Sequence, residues 1–136
     1  MSSIFPDSEM ELTRLLVVSD IERSRTWYRD VLGAEVVREY GGSSVVLKFL
    51  GGWMLLVTGG GPTDDKPSVK FAAPPDPDTV SAQMIVRVPD CQAAFAELSA
   101  RGAEFLTAPL SWPHGETRAF FRDPDGHLFE LSELTS

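Results

Sequence analysis

Thr13-Arg14-Leu15-Leu16-Val17-Val18-Ser19-Asp20 returns in outline, later in the chain, as Gln83-Met84-Ile85-Val86-Arg87-Val88-Pro89-Asp90. Each stretch reads as an aliphatic strand ending on an aspartate able to start a helix. Ser19-Asp20 marks the first helix start, with Ser19 and Glu22 at capping-box spacing, and Asp90 caps the second. Ile21, Tyr28, Val31 and Leu32 then fall on one face of a 3.6-residue period, as do Cys91, Ala94, Phe95 and Leu98 in the second helix. Gly33 and Gly102 stand where a helix C-terminal glycine belongs. After Gly33, strands are expected over 35–39, 44–49 and 53–58, with Gly41-Gly42 and Gly51-Gly52 as the turns. After Gly102, strands are expected over 104–106, 118–122 and 128–132, with a loop through Pro109, Trp112 and Pro113. Asp123-Pro124-Asp125-Gly126 turns the last hairpin, proline presetting φ and glycine accepting a positive one.

Overlaid, the halves match Thr13 with Gln83, Asp20 with Asp90, Gly33-Ala34-Glu35 with Gly102-Ala103-Glu104, Gly52 with Gly126, and Leu56 with Glu130. The expected class is α+β, with two tandem βαβββ modules forming a cup-shaped sheet with the helices outside. Module one runs over about 11–58 and module two over about 80–134, within a single domain spanning 1–136. The linker, 59–79, carries a glycine run, Pro62, Pro67, Pro74, Pro75 and Pro77, and one short extended piece over 69–71. A module with its helix on one sheet face leaves the other bare, and two bare faces can enclose a small molecule.

The chain has 136 residues, room for one domain, and buries roughly 68% of its unfolded surface at that length. Cys91 is the only cysteine, so no internal disulfide forms, which suits a reducing compartment. No run of about 18 apolar residues is present, and MSSIFPDSEM lacks the basic and apolar regions of a signal peptide. The expectation is a cytoplasmic protein without a membrane partner. A net charge of −8 repels nucleic acid and serves solubility or a cationic partner. Phosphate loops, nucleophile elbows and Cys/His dyads are missing, and neither Ser24 nor Ser132 has a histidine at a readable spacing.

Val18-Ser19-Asp20-Ile21-Glu22-Arg23-Ser24 with Trp27-Tyr28-Arg29-Asp30-Val31-Leu32-Gly33 resembles the first module of the vicinal oxygen chelate superfamily. That superfamily includes glyoxalase I, bleomycin resistance proteins, fosfomycin resistance enzymes and extradiol dioxygenases. Phe121-Arg122-Asp123-Pro124-Asp125-Gly126-His127-Leu128-Phe129-Glu130-Leu131 resembles its second signature, and the likeness extends over about 11–133. The fold hosts several unrelated reactions, so the resemblance identifies architecture better than chemistry.

In metal-using members the ligands come from the first and last strands of each module. Carried over by resemblance, those positions are Thr13, Gln83, Leu56 and Glu130. A hydroxyl, an amide and one carboxylate are a weak set for a transition metal, and neither loop histidine, His114 or His127, repairs it. No metal cofactor is expected; if a divalent metal binds, Gln83 and Glu130 are its ligands.

Strand alternation puts Thr13, Leu15 and Val17 in the cup, together with Gln83, Ile85, Arg87, Leu128, Glu130 and Ser132. Glu130 either pairs structurally with Arg87, binds a ligand's amine or hydroxyl, or acts as a general base. Trp53 and Trp112 either stack on a flat or cationic ligand or plug the sheet ends. Trp27 and Tyr28 belong to the core, and Phe120 and Phe121 point to opposite faces in an order the sequence leaves open. The ligand-binding set is Thr13, Trp53, Gln83, Arg87, Trp112, Leu128, Glu130 and Ser132.

The expected function is sequestration of an aromatic or cationic drug or metabolite, resembling the bleomycin-resistance branch, whose likeness also implies a homodimer. The alternatives are a metal-dependent lyase, isomerase or dioxygenase, and a metal-free enzyme using Glu130 as base.

Overall fold

A computed structural model describes residues 4–135, with 1–3 and 136 outside the described residues. The lead-in expected over 1–10 holds no helix or strand where it is described. The first module comprises β1 (Thr13–Val18), α1 (Ile21–Asp30), β2 (Glu35–Tyr40), β3 (Ser44–Phe49) and β4 (Gly52–Thr58). The second comprises β5 (Met84–Arg87), α2 (Cys91–Ala100), β6 (Leu110–Trp112), β7 (Glu116–Arg122) and β8 (Leu128–Leu134). Both sheets have four strands in the same order, β1-β4-β3-β2 and β5-β8-β7-β6, with one parallel pair each, β1 on β4 and β5 on β8. The chain is therefore α+β, built of two tandem βαβββ modules.

Local chemistry explains the boundaries. Asp20 and Asp90 are the N-caps, each accepting a hydrogen bond at 3.0 Å from the backbone N–H three residues on, at Arg23 and Ala93. The capping-box role expected of Ser19 passes to Asp20, because the Ser19 N–H is engaged by Asp125 at 3.1 Å. Gly33 and Gly102 end the helices at φ +76° and +110°, which a side chain would resist.

Three strand expectations change. The piece expected over 104–106 makes only the isolated bridge Phe105–Phe121. The expected loop at Trp112 is an edge strand, β6, paired with β7, because prolines flanking a short edge strand need donate nothing to a ladder. And β7 starts two residues before 118, at Glu116.

One hydrophobic core joins the helix-facing sides of both modules: Leu16, Val18, Tyr28, Leu47, Met54 and Leu56 from the first with Cys91, Phe121, Phe129 and Leu131 from the second. The α1 Trp27 ring sits 6.2 Å from Phe121 and 6.0 Å from Phe129, so a first-module helix packs on second-module strands. Polar contacts reinforce the junction: Tyr28 Oη donates to Asp123 Oδ2 at 2.7 Å, and His127 Nε2 donates to the Val17 carbonyl at 2.7 Å. The linker is tied down as well, by Gly60–Phe71 backbone bonds, by Arg122–Asp78 at 2.6 Å, and by Pro77 against Gly126, where an added Cβ would lie 2.9 Å from the proline ring.

Candidate functional site

The faces turned away from the core carry the site. In β7 and β8 the register opposes Glu116 to Leu134, Arg118 to Ser132, Phe120 to Glu130 and Arg122 to Leu128, so these side chains share the open face. Phe120 therefore lies on the open face and Phe121 in the core, which settles their order. β5 adds Ile85, opposite Glu130, and Arg87, opposite Ser132. β6 adds Leu110 and Trp112, opposite Arg118 and Glu116.

Glu116 organises this face. Its Oε2 accepts from the Ser132 hydroxyl at 2.5 Å and from Arg87 at 3.4 Å, and Arg87 also donates to Ser132 Oγ. Its Oε1 lies 3.0 Å from His114 Nε2 and 3.5 Å from Arg118. The Ser132 and His114 hydrogen bonds hold the Glu116 carboxyl down at about 2. Glu130, 4% exposed, takes the opposite shift: burial first, then the Glu116 charge, pushes its carboxyl above the usual range. Gln83 Nε2 donates to Glu130 Oε1 at 3.2 Å, leaving the buried Gln83 Oε1 as an acceptor without a partner.

The predicted site residues separate into groups. Gln83, Arg87, Trp112, Glu130 and Ser132 come together on the second module, but Arg87 pairs with Glu116 and Ser132 rather than with Glu130. Leu128 and Gln83 line a cavity of about 350 Å³ between β1 and the start of β5, walled by linker residues including Pro74, Asp76 and Pro77. Trp53 stands on the first module's open face under Lys48 Nζ, 4.7 Å from the ring centroid, and shares a groove with Ile85. Thr13 is exposed, opposite Trp53. Of the loop histidines, His127 fastens the hairpin turn to β1, while His114 joins the site through Glu116.

The parallel registers correct one equivalence. Leu15 opposes Leu55 as Ile85 opposes Glu130, so the counterpart of Glu130 is Leu55 and not Leu56, which is fully buried under the helix. One residue of slip reverses the face. Either leucine leaves the first module without a carboxylate there. Gln83 and Glu130 are adjacent, yet among the described residues no group of three His, Cys, Asp or Glu side chains could hold a metal ion. The donor set does not fit a transition metal, which needs more ionised or imidazole ligands than an amide beside a single carboxyl.

Glu116 is the functional candidate that sequence reasoning missed. It fell in the expected loop, although two more steps of alternation back from Arg118 would have placed it on the open face.

The profile of the Glyoxalase/Bleomycin resistance protein/Dioxygenase superfamily matches residues 12–131. The chain belongs to that superfamily. Within it, this glyoxalase-superfamily chain is similar to TioX from Micromonospora sp. ML1, at 24% identity and TM-score 0.70, over 92% of this chain and 98% of that one. It is similar to TnmS3, an antibiotic binding protein from Streptomyces sp. CB03234, at 22% identity and TM-score 0.66, over 93% and 96%. It is also similar to a lactoylglutathione lyase from Agrobacterium tumefaciens, at 21% identity and TM-score 0.68, over 94% and 95%. These likenesses concern the fold. A search of curated proteins finds none that matches. Among the described residues no helix is long and apolar enough to cross a membrane.

The two carboxyls titrate with opposite linkage. Glu116, whose folded value is depressed, contributes stability above its unfolded value of about 4.5, lost as pH falls toward about 2. Glu130, whose folded value is raised, contributes stability that is full below about 4.5 and is lost as pH rises through its folded value. Glu130→Gln removes that loss, and Gln83 can still donate to the new amide oxygen. The Tm of the variant is expected to gain on wild type as pH rises from about 5 to 8. Melting curves across that range check it, and a Tm difference independent of pH would show that Glu130 carries no buried-charge penalty.

Proposed function

We propose that this protein binds a small aromatic molecule on the open face of its second module, without a metal, in the manner of an antibiotic-sequestering protein. The observation that carries the reading is the Glu116–Ser132–Arg87–Arg118 network, fixed beneath an exposed Trp112 and beside exposed Ile85 and Leu110. Few polar groups, rigidly held among apolar and aromatic ones, are what a small-molecule site requires. The antibiotic-binding description of TnmS3 supports the same class. A second copy of the chain is the proposed cover for the exposed Leu15, Ile85 and Leu134, giving a homodimer in the cytoplasm.

A second reading, a metal-dependent lyase or isomerase, is favoured only by the Gln83–Glu130 contact at 3.2 Å and the likeness to a lactoylglutathione lyase. A metal-free enzyme with Glu130 as base is the third. The deciding experiment is elemental analysis of protein never exposed to chelator, paired with calorimetric titration of aromatic antibiotics. Sub-stoichiometric metal with saturable binding is the expected result. One divalent metal per chain would overturn the metal-free reading and make Gln83 and Glu130 ligands. Glu130→Gln then separates sequestration, where affinity for a neutral ligand changes little, from either enzyme, where turnover falls.

A further inference from the structure

On the second module's open face the charges are layered. Carboxyl groups lie at the bottom and guanidinium groups at the top: Glu130 is 4% exposed and the Glu116 side chain 11%, whereas those of Arg118 and Arg87 are 33% and 57% exposed. Both Glu116 oxygens are spent on groups of this face, Oε1 on His114 and Arg118 and Oε2 on Ser132 and Arg87. Glu116 thereby acts as a positioning residue that aims the cations outward. The Arg118 guanidinium lies 4.9 Å from the Trp112 ring centroid and 5.5 Å from that of Phe120. Stacking of this kind presents a planar cation beside a flat aromatic surface.

Resting on the small-molecule reading above, we propose that this face recognises an aromatic anion, a planar molecule bearing a carboxylate, phenolate or comparable acidic oxygen. Its ring lies along Trp112 and Phe120, and its acidic oxygen is met by Arg118, with Arg87 alongside. Glu130 lies at the bottom of the face, 4% exposed and covered by its hydrogen bond from Gln83 Nε2, so an anion arriving from solvent meets Arg87 and Arg118 first. The protein's net charge of −8 does not forbid this, since at physiological salt charges farther than about 8 Å from the ligand are largely screened. The first module's open face points the same way, with Lys48 over Trp53 at 4.7 Å and Arg38 donating to the Tyr40 hydroxyl at 3.3 Å.

The test is calorimetric titration of the full chain with three probes of one shape: 2-naphthoate, 2-naphthamide and 2-naphthylmethylammonium. Naphthoate is expected to bind about tenfold tighter than the amide, and the ammonium weakest, a gap of the size one charge-assisted contact supplies. Arg118→Met keeps the stem against Trp112 and Phe120 but removes the charge, and should erase most of the preference by weakening naphthoate far more than the amide. Arg118→Lys should restore part of it, and Glu130→Gln should leave naphthoate binding as tight or tighter. Circular dichroism checks that each variant is folded; if Arg118→Met is not, Arg87→Met carries the same comparison. Equal binding of the three probes, or a preference that survives Arg118→Met, overturns the anion proposal alone. Absence of binding by any probe overturns the small-molecule reading with it.

Discussion

Phe121→Ala is expected to destabilise the fold by about 3–5 kcal/mol, the cost of emptying an aromatic position in a core that cannot collapse onto the gap. Phe121 is fully buried, stacked on Phe129 at 5.1 Å, and flanked by Phe105 at 5.0 Å and Trp27 at 6.2 Å. The last of these belongs to the other module. A loss of this size consumes much of the roughly 5–15 kcal/mol that holds a domain together, and lowers Tm by at least roughly 10 °C. Denaturant unfolding followed by far-UV and near-UV circular dichroism measures it. Both signals should fall in one transition, because the cavity opens in a core that the modules share. A variant in which first-module structure survives a separate unfolding of the second would contradict that shared core. Phe121→Leu, which refills most of the volume, should recover more than half of the loss.

That core was largely legible in the sequence, because period and caps agree at each helix. Asp20 and Asp90 start α1 and α2, Gly33 and Gly102 end them, and the stripe Cys91, Ala94, Phe95 and Leu98 faces inward as its spacing requires. Ser24 escaped the first stripe, and it is buried because its hydroxyl reaches Asp125 at 3.4 Å, a residue of the other module's turn. Tertiary partners of that kind leave no local signal. The order of Phe120 and Phe121 was undecidable for a related reason: both residues suit either face, and only pairing with β8 assigns them.

The candidate site was legible by parity and illegible by partnership. Alternation placed Arg87, Glu130 and Ser132 on one face, but not the diagonal reach of Glu116 that links them. Glu116 lay in what two nearby prolines made look like loop. Offsets counted through loops also misplace a strand by a residue, which is how Leu56 stood in for Leu55. The metal question was less exposed to such errors, since it turns on donor types rather than on register. An amide, one carboxyl and leucine make a poor site under either alignment.

Tyr28→Phe tests the junction through its polar contact rather than its packing. The hydroxyl donates to Asp123 Oδ2 at 2.7 Å, and both residues are buried. Asp123 Oδ1 is taken by the backbone N–H groups of Asp125 at 2.9 Å and His127 at 2.8 Å, so Oδ2 would be left without the Tyr28 donor. Removing a hydrogen bond to a charged acceptor of this kind costs about 1.5–3 kcal/mol. Burial already raises the Asp123 carboxyl above its ordinary value, and the Tyr28 hydroxyl is the largest of the influences opposing that rise. A group with a raised folded value contributes its stability below its unfolded value, about 3.8, and loses it as pH climbs through the folded one. Without the hydroxyl the folded value climbs further. The variant's deficit should therefore be largest at neutral pH, and should shrink on acidification as Asp123 takes up a proton. In an Asp123→Asn background the pH dependence of the deficit should vanish, because no charge is left to strand. Tm measured at several pH values for the four proteins of this cycle decides the matter. A deficit that ignores pH would mean the hydroxyl serves packing alone, and that the hairpin turn is held to the first module chiefly by His127 on the Val17 carbonyl and Asp125 on Ser19.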